Sequence, residues 1–376
     1  MDEQKKESKS SCFEKKIEEA IVSLLESATT SLPNNSMAIA DLGCSSGPNA
    51  VGLVSTVVNA IRRHHHGLQH EQPAPEVHVF LNDLPNNDFN TVSKMLVAFN
   101  ETHEASGSAV VTAMVPGSFY TRLFASRSFA SRLCIQQRAL AIKGSERGFR
   151  GFLDLRERLF SLSKYRRGRS YPRQVEFLQA PEDLVKNRIP AYDGDDDLRR
   201  ARRPIVLAAY RSDFTSFLSF RSQELVPGGR MVLSLMGTRH DESVYGLEHA
   251  AFVLNDMASR GVINREKFDS FYIPMFGPSE RELREIIEQE GSFEINKIQV
   301  RKSMSSMANE LMLSPRTMAN TTRAIMEPII VQHFGQSEEI MDEFVRTLEK
   351  IIMTSSMYVA EEDPRAYICV SLSRRI

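Results

Sequence analysis

Between residues 12 and 29, Phe13, Ile17, Ile21, Leu24 and Leu25 recur mostly three or four residues apart, an interval that gathers them on one helix face. Met37-Ala-Ile-Ala-Asp-Leu42 is short and apolar, which predicts a buried strand. Gly43-Cys-Ser-Ser-Gly47 follows as a turn, and Pro48 suits the first turn of a helix. Leu53, Val54, Val57, Val58 and Ile61 give that helix its apolar face. After the polar stretch 63–76 the pattern repeats. Val77–Leu81 predicts a strand, Phe89, Val92, Met95, Leu96 and Phe99 a helix, and Ala109–Met114 a third strand. A helix over roughly 204–225 then leads through Pro227-Gly-Gly229 to a strand at Met231–Leu235. Strands alternating with helices predict an α/β fold on a doubly wound, mostly parallel sheet.

Residues 246–353 carry mainly helical periodicity, with a strand candidate at 292–301, and Ala366–Leu372 reads as a last strand. The organisation expected is an α/β core over 12–245, a mainly helical cap over 246–353 lying on the carboxyl edge of the sheet, and a strand within 354–376 that returns to the core. The stretch 125–179 interrupts the core. Over 125–173 it holds 13 Lys or Arg against 3 Asp or Glu, with poor periodicity. It is expected to leave the sheet as a poorly ordered basic loop beside the site, outside any sheet or core.

Charge and cysteine usage exclude several classes. The formal net charge is −1, so no global field points to nucleic acid or to an anionic membrane. No apolar run approaches the roughly 18 residues of a membrane span, and the N-terminal residues lack the apolar centre of a signal peptide. Cys12, Cys44, Cys134 and Cys369 lie far apart without a CxxC pair, which fits neither a zinc site nor a disulfide framework. A reducing, cytoplasmic setting is expected. His64, His65, His66 and His70 have no companion ligands in the sequence pattern and read as solvated surface.

The candidate chemistry sits at two strand ends. Asp41-Leu-Gly-Cys-Ser-Ser-Gly-Pro-Asn49 joins a strand to a helix; its glycines, Gly43 among them, let backbone approach a ligand, and the helix start offers free N–H groups. Asp83, in Asn82-Asp83-Leu84, ends the next strand, where an acid can accept from both ribose hydroxyls of an adenosine. A nicotinamide dinucleotide site wants GxGxxG and an acid about 20 residues on. Here the glycine spacing is GxxxG and the acid is more distant, which favours S-adenosylmethionine (SAM). Spacing alone also fits a strand–turn–helix that binds nothing.

The strings IADLGCSSGPN, FLNDLPNNDFN, VPGSFYTRLF, ELVPGGRMVLSL and IMEPIIVQHFG, in that order, closely resemble the plant SABATH carboxyl methyltransferases over about 12–124 and 181–376. The resemblance implies a Rossmann-like methyltransferase sheet with a helical cap, SAM as methyl donor, and a homodimer. The acceptor would be a small carboxylic acid of the salicylate, benzoate, jasmonate or indole-acetate type. It implies SAM contacts at Cys44, Asn49, Asp83, Leu84, Ser118 and Phe119, with Asp41 supporting the loop. It also implies a magnesium site at Asn187, Asp269 and Phe271, although Tyr272 stands where the family usually has Asn. No catalytic residue is assigned. A carboxylate with an ordinary pKa of ~4 is already ionised and needs only alignment and exclusion of water.

Two departures stand against this pattern. The family's N-terminal SYAxNS-like string and following Gln, which close over SAM and hold the acid, have no counterpart. The family's pocket string with its Trp is replaced between Ala125 and Gln179, and the chain contains no Trp. Weakened turnover is therefore expected. The alternative reading is a non-catalytic paralogue that acts by pairing with an intact family member. A nucleic-acid contact through the basic stretch has no reader motif behind it.

Overall fold

The computed structural model describes residues 12–27, 36–44, 48–67, 75–85, 87–103, 110–126, 132–137, 196–239, 248–271, 276–302, 314–335, 338–354 and 365–376. Among these, β1 (Ser36–Leu42), β2 (Glu76–Asp83), β3 (Val110–Pro116), β4 (Arg132–Gln137), β5 (Arg230–Thr238), β6 (Phe293–Lys302) and β7 (Arg365–Arg374) form one sheet in the order β3-β2-β1-β4-β5-β7-β6. The pairs from β3 through β5 are parallel, and β7 runs antiparallel to both its neighbours. This is the doubly wound, mostly parallel α/β sheet expected from the pattern, and it agrees with the sheet that the family resemblance implies.

Strand side chains alternate between two apolar layers, the period-2 rule at work. Met37 and Ile39 of β1 and Val77, Val79 and Leu81 of β2 enter one layer. That layer is closed by Ile17 and Ile21 of α1 (Cys12–Ser27), Leu53, Val54, Val57, Val58 and Ile61 of α2 (Pro48–Gly67), and Val92, Leu96 and Phe99 of α3 (Phe89–His103). Ala40 and Leu42 of β1, Met231, Leu233 and Leu235 of β5 and Ile368, Val370 and Leu372 of β7 face the other. Phe214, Phe217 and Leu218 of α4 (Asp196–Glu224) cover that side. The helix α4 begins at Asp196 rather than near 204, and Pro204 lies inside it.

Two expectations are corrected. Residues 125–179 do not all leave the sheet: Arg132–Gln137 forms β4, paired with β1 on one side and β5 on the other. Sheet closure supplies the reason. Strands β1 and β5 each present a row of N–H and C=O groups toward this position, and buried rows must be paired whatever the local charge. Residues 127–131 and 138–179 of that stretch lie outside the described residues. The assignment of 246–353 to a cap also fails over 280–302. There α5 (Glu280–Glu290) packs Leu283, Ile286 and Ile287 into the core, and β6 is the edge strand beside β7. The remaining helices, α6 (Glu248–Ser259), α7 (Arg265–Asp269), α8 (Pro315–Phe334) and α9 (Glu338–Thr354), build a separate apolar cluster around Phe268, Met326, Phe344 and Leu348. No helix among the described residues is long and apolar enough to cross a membrane.

Candidate active site

The chain leaves β1 in one direction through β2 to β3, and β4 and β5 lie on the other side. In such sheets a ligand crevice opens at the carboxyl ends of the strands flanking the switch in order. Here that is β1 and β4. The register aligns the loops that border the crevice: Leu42 pairs with Asn82 and Gln136, and Asn82 pairs with Val115.

The first loop is fixed by one backbone acceptor. The N–H groups of Gly43 and Cys44 both donate to the Asn82 carbonyl at 2.9 Å. Turning the chain back onto β2 needs φ of 83° at Gly43, a left-handed conformation that glycine adopts without a Cβ penalty. Asp41 and Cys44 are buried on either side of the turn. Residues 45–47 lie outside the described residues. Asn49 is in the first turn of α2, and its side chain is not among those described.

The second loop begins at Asp83, whose Oδ1 accepts from the Leu84 N–H at 2.7 Å. Leu84, next along, is exposed. The neighbouring Asn82 side chain is fully buried and donates to the Val115 and Gly117 carbonyls at 2.7 and 2.9 Å. It thereby ties the end of β2 to the start of the third loop. The Gly117 N–H donates to the Asp83 carbonyl at 2.8 Å, completing the tie. Asp83 and Ser118 are thus held close along the edge. Gly43, Cys44, Leu84, Ser118 and Phe119 fall on these three connected loops, and Asp41 and Asp83 lie at the ends of the strands that enter the first two.

The third loop, 117–124, is irregular and folds back on itself. A Cβ at Gly117 would come within 2.9 Å of Leu123 Cδ2. Phe119 is half-buried, with its ring 4.9 Å from Tyr120 and edge-on to Phe217 at 6.2 Å. The loop is gripped from α4 by Arg221 and Glu224, 1% and 3% exposed, whose Nε and Oε2 lie 2.9 Å apart. The Arg221 guanidinium donates to the Phe119 carbonyl at 3.1 Å and the Thr121 carbonyl at 2.8 Å. Glu224 Oε1 accepts from the Leu123 and Phe124 N–H groups at 2.6 and 3.1 Å. Burial pushes the Glu224 carboxyl above its usual range, against the pull of the guanidinium and of the two N–H groups. The sequence reading missed this pair. Its signal was present: both charges sit beside Phe217, Leu218 and Leu225 on an apolar helix face.

The magnesium set was tested against its residues. Asp269 Oδ1 is paired with Arg265 Nε at 3.0 Å, and Phe271 is buried with its N–H donating to the Phe268 carbonyl. Asn187 and Tyr272 lie outside the described residues. No group of three His, Cys, Asp or Glu side chains able to hold a metal occurs among the described residues. Magnesium demands near-octahedral oxygen ligation. Of the set, Asp269 brings the one described side-chain carboxylate, and it is paired with Arg265.

The family described as SAM dependent carboxyl methyltransferase matches residues 3–136 and 177–375. A jasmonate O-methyltransferase of Arabidopsis thaliana is 34% identical over 372 residues, covering 90% of this chain and 87% of that protein. A maize (Zea mays) protein named inactive anthranilate O-methyltransferase 1 is 31% identical over 370 residues, covering 87% and 85%. The solved structure of loganic acid methyltransferase with SAH, the demethylated product of SAM, superposes with a TM-score of 0.69 at 26% identity, covering 97% of this chain and 95% of that one. The chain belongs to the SAM-dependent carboxyl methyltransferase family, as the SABATH resemblance of its motifs implied.

Proposed function

We propose that the chain binds SAM in the crevice that opens beside β1 at the carboxyl edge of the sheet and methylates a carboxylate oxygen of a small plant acid, of the jasmonate, salicylate, benzoate or indole-acetate type. The observation that carries this is the stitching of three loops into one edge through the Asn82 carbonyl, the Asn82 side chain and the Asp83 carbonyl. In this reading Gly43 and Cys44 supply close backbone approach, with Asp41 beneath them and Asn49 beyond. Asp83 accepts from the ribose hydroxyls, Leu84 covers the adenine, and Ser118 and Phe119 close the third side. When bound, SAM supplies an electrophilic methyl group on a sulfonium. The chain aligns the acid and excludes water, and the acid, already ionised, has no proton to be abstracted. The working unit is a homodimer, to be checked by light scattering of the purified chain.

A second reading has its own support. The family match is interrupted between 136 and 177, where the family's Trp-bearing pocket string belongs, and a similar maize protein is named inactive. In that case the chain turns over no acid and acts by pairing with an intact family member. Labelled SAM incubated with a panel of plant acids separates the two. Methyl transfer to at least one acid, lost in Asp83→Ala, supports the enzyme. Binding of S-adenosylhomocysteine (SAH) with no transfer to any acid, together with co-elution with an intact family member, supports the second reading. Absence of SAH binding removes the enzyme reading, and absence of co-elution removes the second.

A further inference from the structure

The geometry points to a positioning role for Arg221 and Glu224: we infer that this buried pair holds the loop 117–124 in the shape that presents Ser118 and Phe119 to the cofactor. The inference rests on the cofactor reading above. Both side chains come from α4, about 100 residues along the chain from the loop they grip. Together they engage four backbone groups, the carbonyls of Phe119 and Thr121 and the N–H groups of Leu123 and Phe124.

A buried ion pair is poorly explained by stability. Apolar residues of similar volume often do as well or better, because taking two charges out of water is costly. What apolar residues cannot do is satisfy the inward-facing polar groups of an irregular loop. The guanidinium fork reaches two carbonyls at once, an arrangement that the single ammonium of Lys does not reproduce. At its other end the loop is tied to Asp83 through Gly117 N–H. Ser118 and Phe119 therefore sit between two anchors, one on the ribose-reading residue and one on α4. Cation–π contact adds to the second anchor, with the Arg221 guanidinium carbon 5.4 Å from the Phe217 ring centre.

The test uses the full chain with Arg221→Lys and Glu224→Gln, and Phe344→Leu in the α6–α9 cluster as a control that lowers stability elsewhere. Amide exchange is followed without ligand and with SAH, and SAH affinity is measured by calorimetry. Both pair variants are expected to exchange faster at Leu123 and Phe124 and to bind SAH roughly tenfold more weakly, the scale of one lost charge-assisted contact. Phe344→Leu is expected to melt earlier and bind SAH as the unaltered chain does. Pair variants that melt earlier yet bind SAH normally would reduce the pair to a structural role and overturn the inference. A second measurement decides even if both variants fail to fold: in the unaltered chain SAH must slow exchange over 119–124, and unchanged exchange there overturns the inference. Failure of the unaltered chain to bind SAH instead counts against the cofactor reading and is visible separately.

Discussion

Gly43 and Arg221 mark the two kinds of residue on which this site depends. Gly43 was legible from sequence because its role is local: a turn between a strand and a helix that needs positive φ can be read from the neighbouring letters. Asp83 was legible for the same reason, as an acid ending a strand. Arg221 and Glu224 stand at helical spacing among Phe217, Leu218 and Leu225, which marks them as buried charges, but the loop they hold lies about 100 residues away and local spacing does not name it. Gly43→Ala is expected to cost about 1–2 kcal/mol, since φ of 83° brings Cβ against backbone. Urea unfolding at neutral pH checks this; a change below about 0.5 kcal/mol, the range of ordinary surface substitutions, would show that the turn relaxes freely.

Helix α3 shows how an element start can be read as chemistry. Asp88 caps it, accepting from the Thr91 N–H at 3.0 Å and the Thr91 hydroxyl at 2.6 Å. The hydroxyl bond first, then the backbone bond, hold the Asp88 carboxyl below its usual range. The stabilising bond is therefore fully present above the ordinary carboxyl value and is lost as pH falls through the lower folded one. Asp88→Ala is expected to cost about 1 kcal/mol at neutral pH, with the gap from the unaltered chain narrowing below about pH 4. Urea midpoints across that range test it, and a gap independent of pH would contradict the cap. Strand β4 is the opposite case. Its residues, Arg132-Leu-Cys-Ile-Gln-Gln137, carry no clear alternation and sit in basic text, so pattern reading set them aside. Their place follows from the two strand edges that need pairing, a constraint that only the assembled sheet imposes. The strand at 292–301 was read correctly as a strand but assigned to the wrong unit, because periodicity reports an element and not its neighbours.

At the scale of the molecule, one sheet between two apolar layers carries the candidate site while α6–α9 form a third apolar cluster. The central claim is that three loops on the sheet's carboxyl edge make one cofactor site, with Asp83 reading the ribose. A bound ligand should stabilise the whole chain by about 2.7 kcal/mol at a hundredfold excess over Kd, which thermal melting with and without SAH measures. The most direct test is calorimetric titration of SAH into the folded chain and into Asp83→Ala. The unaltered chain is expected to bind SAH, and the variant to lose about 1.5–3 kcal/mol for each hydrogen bond to the ribose that the carboxylate provided. A folded chain that binds no SAH, or an Asp83→Ala variant that binds it equally well, would contradict the account.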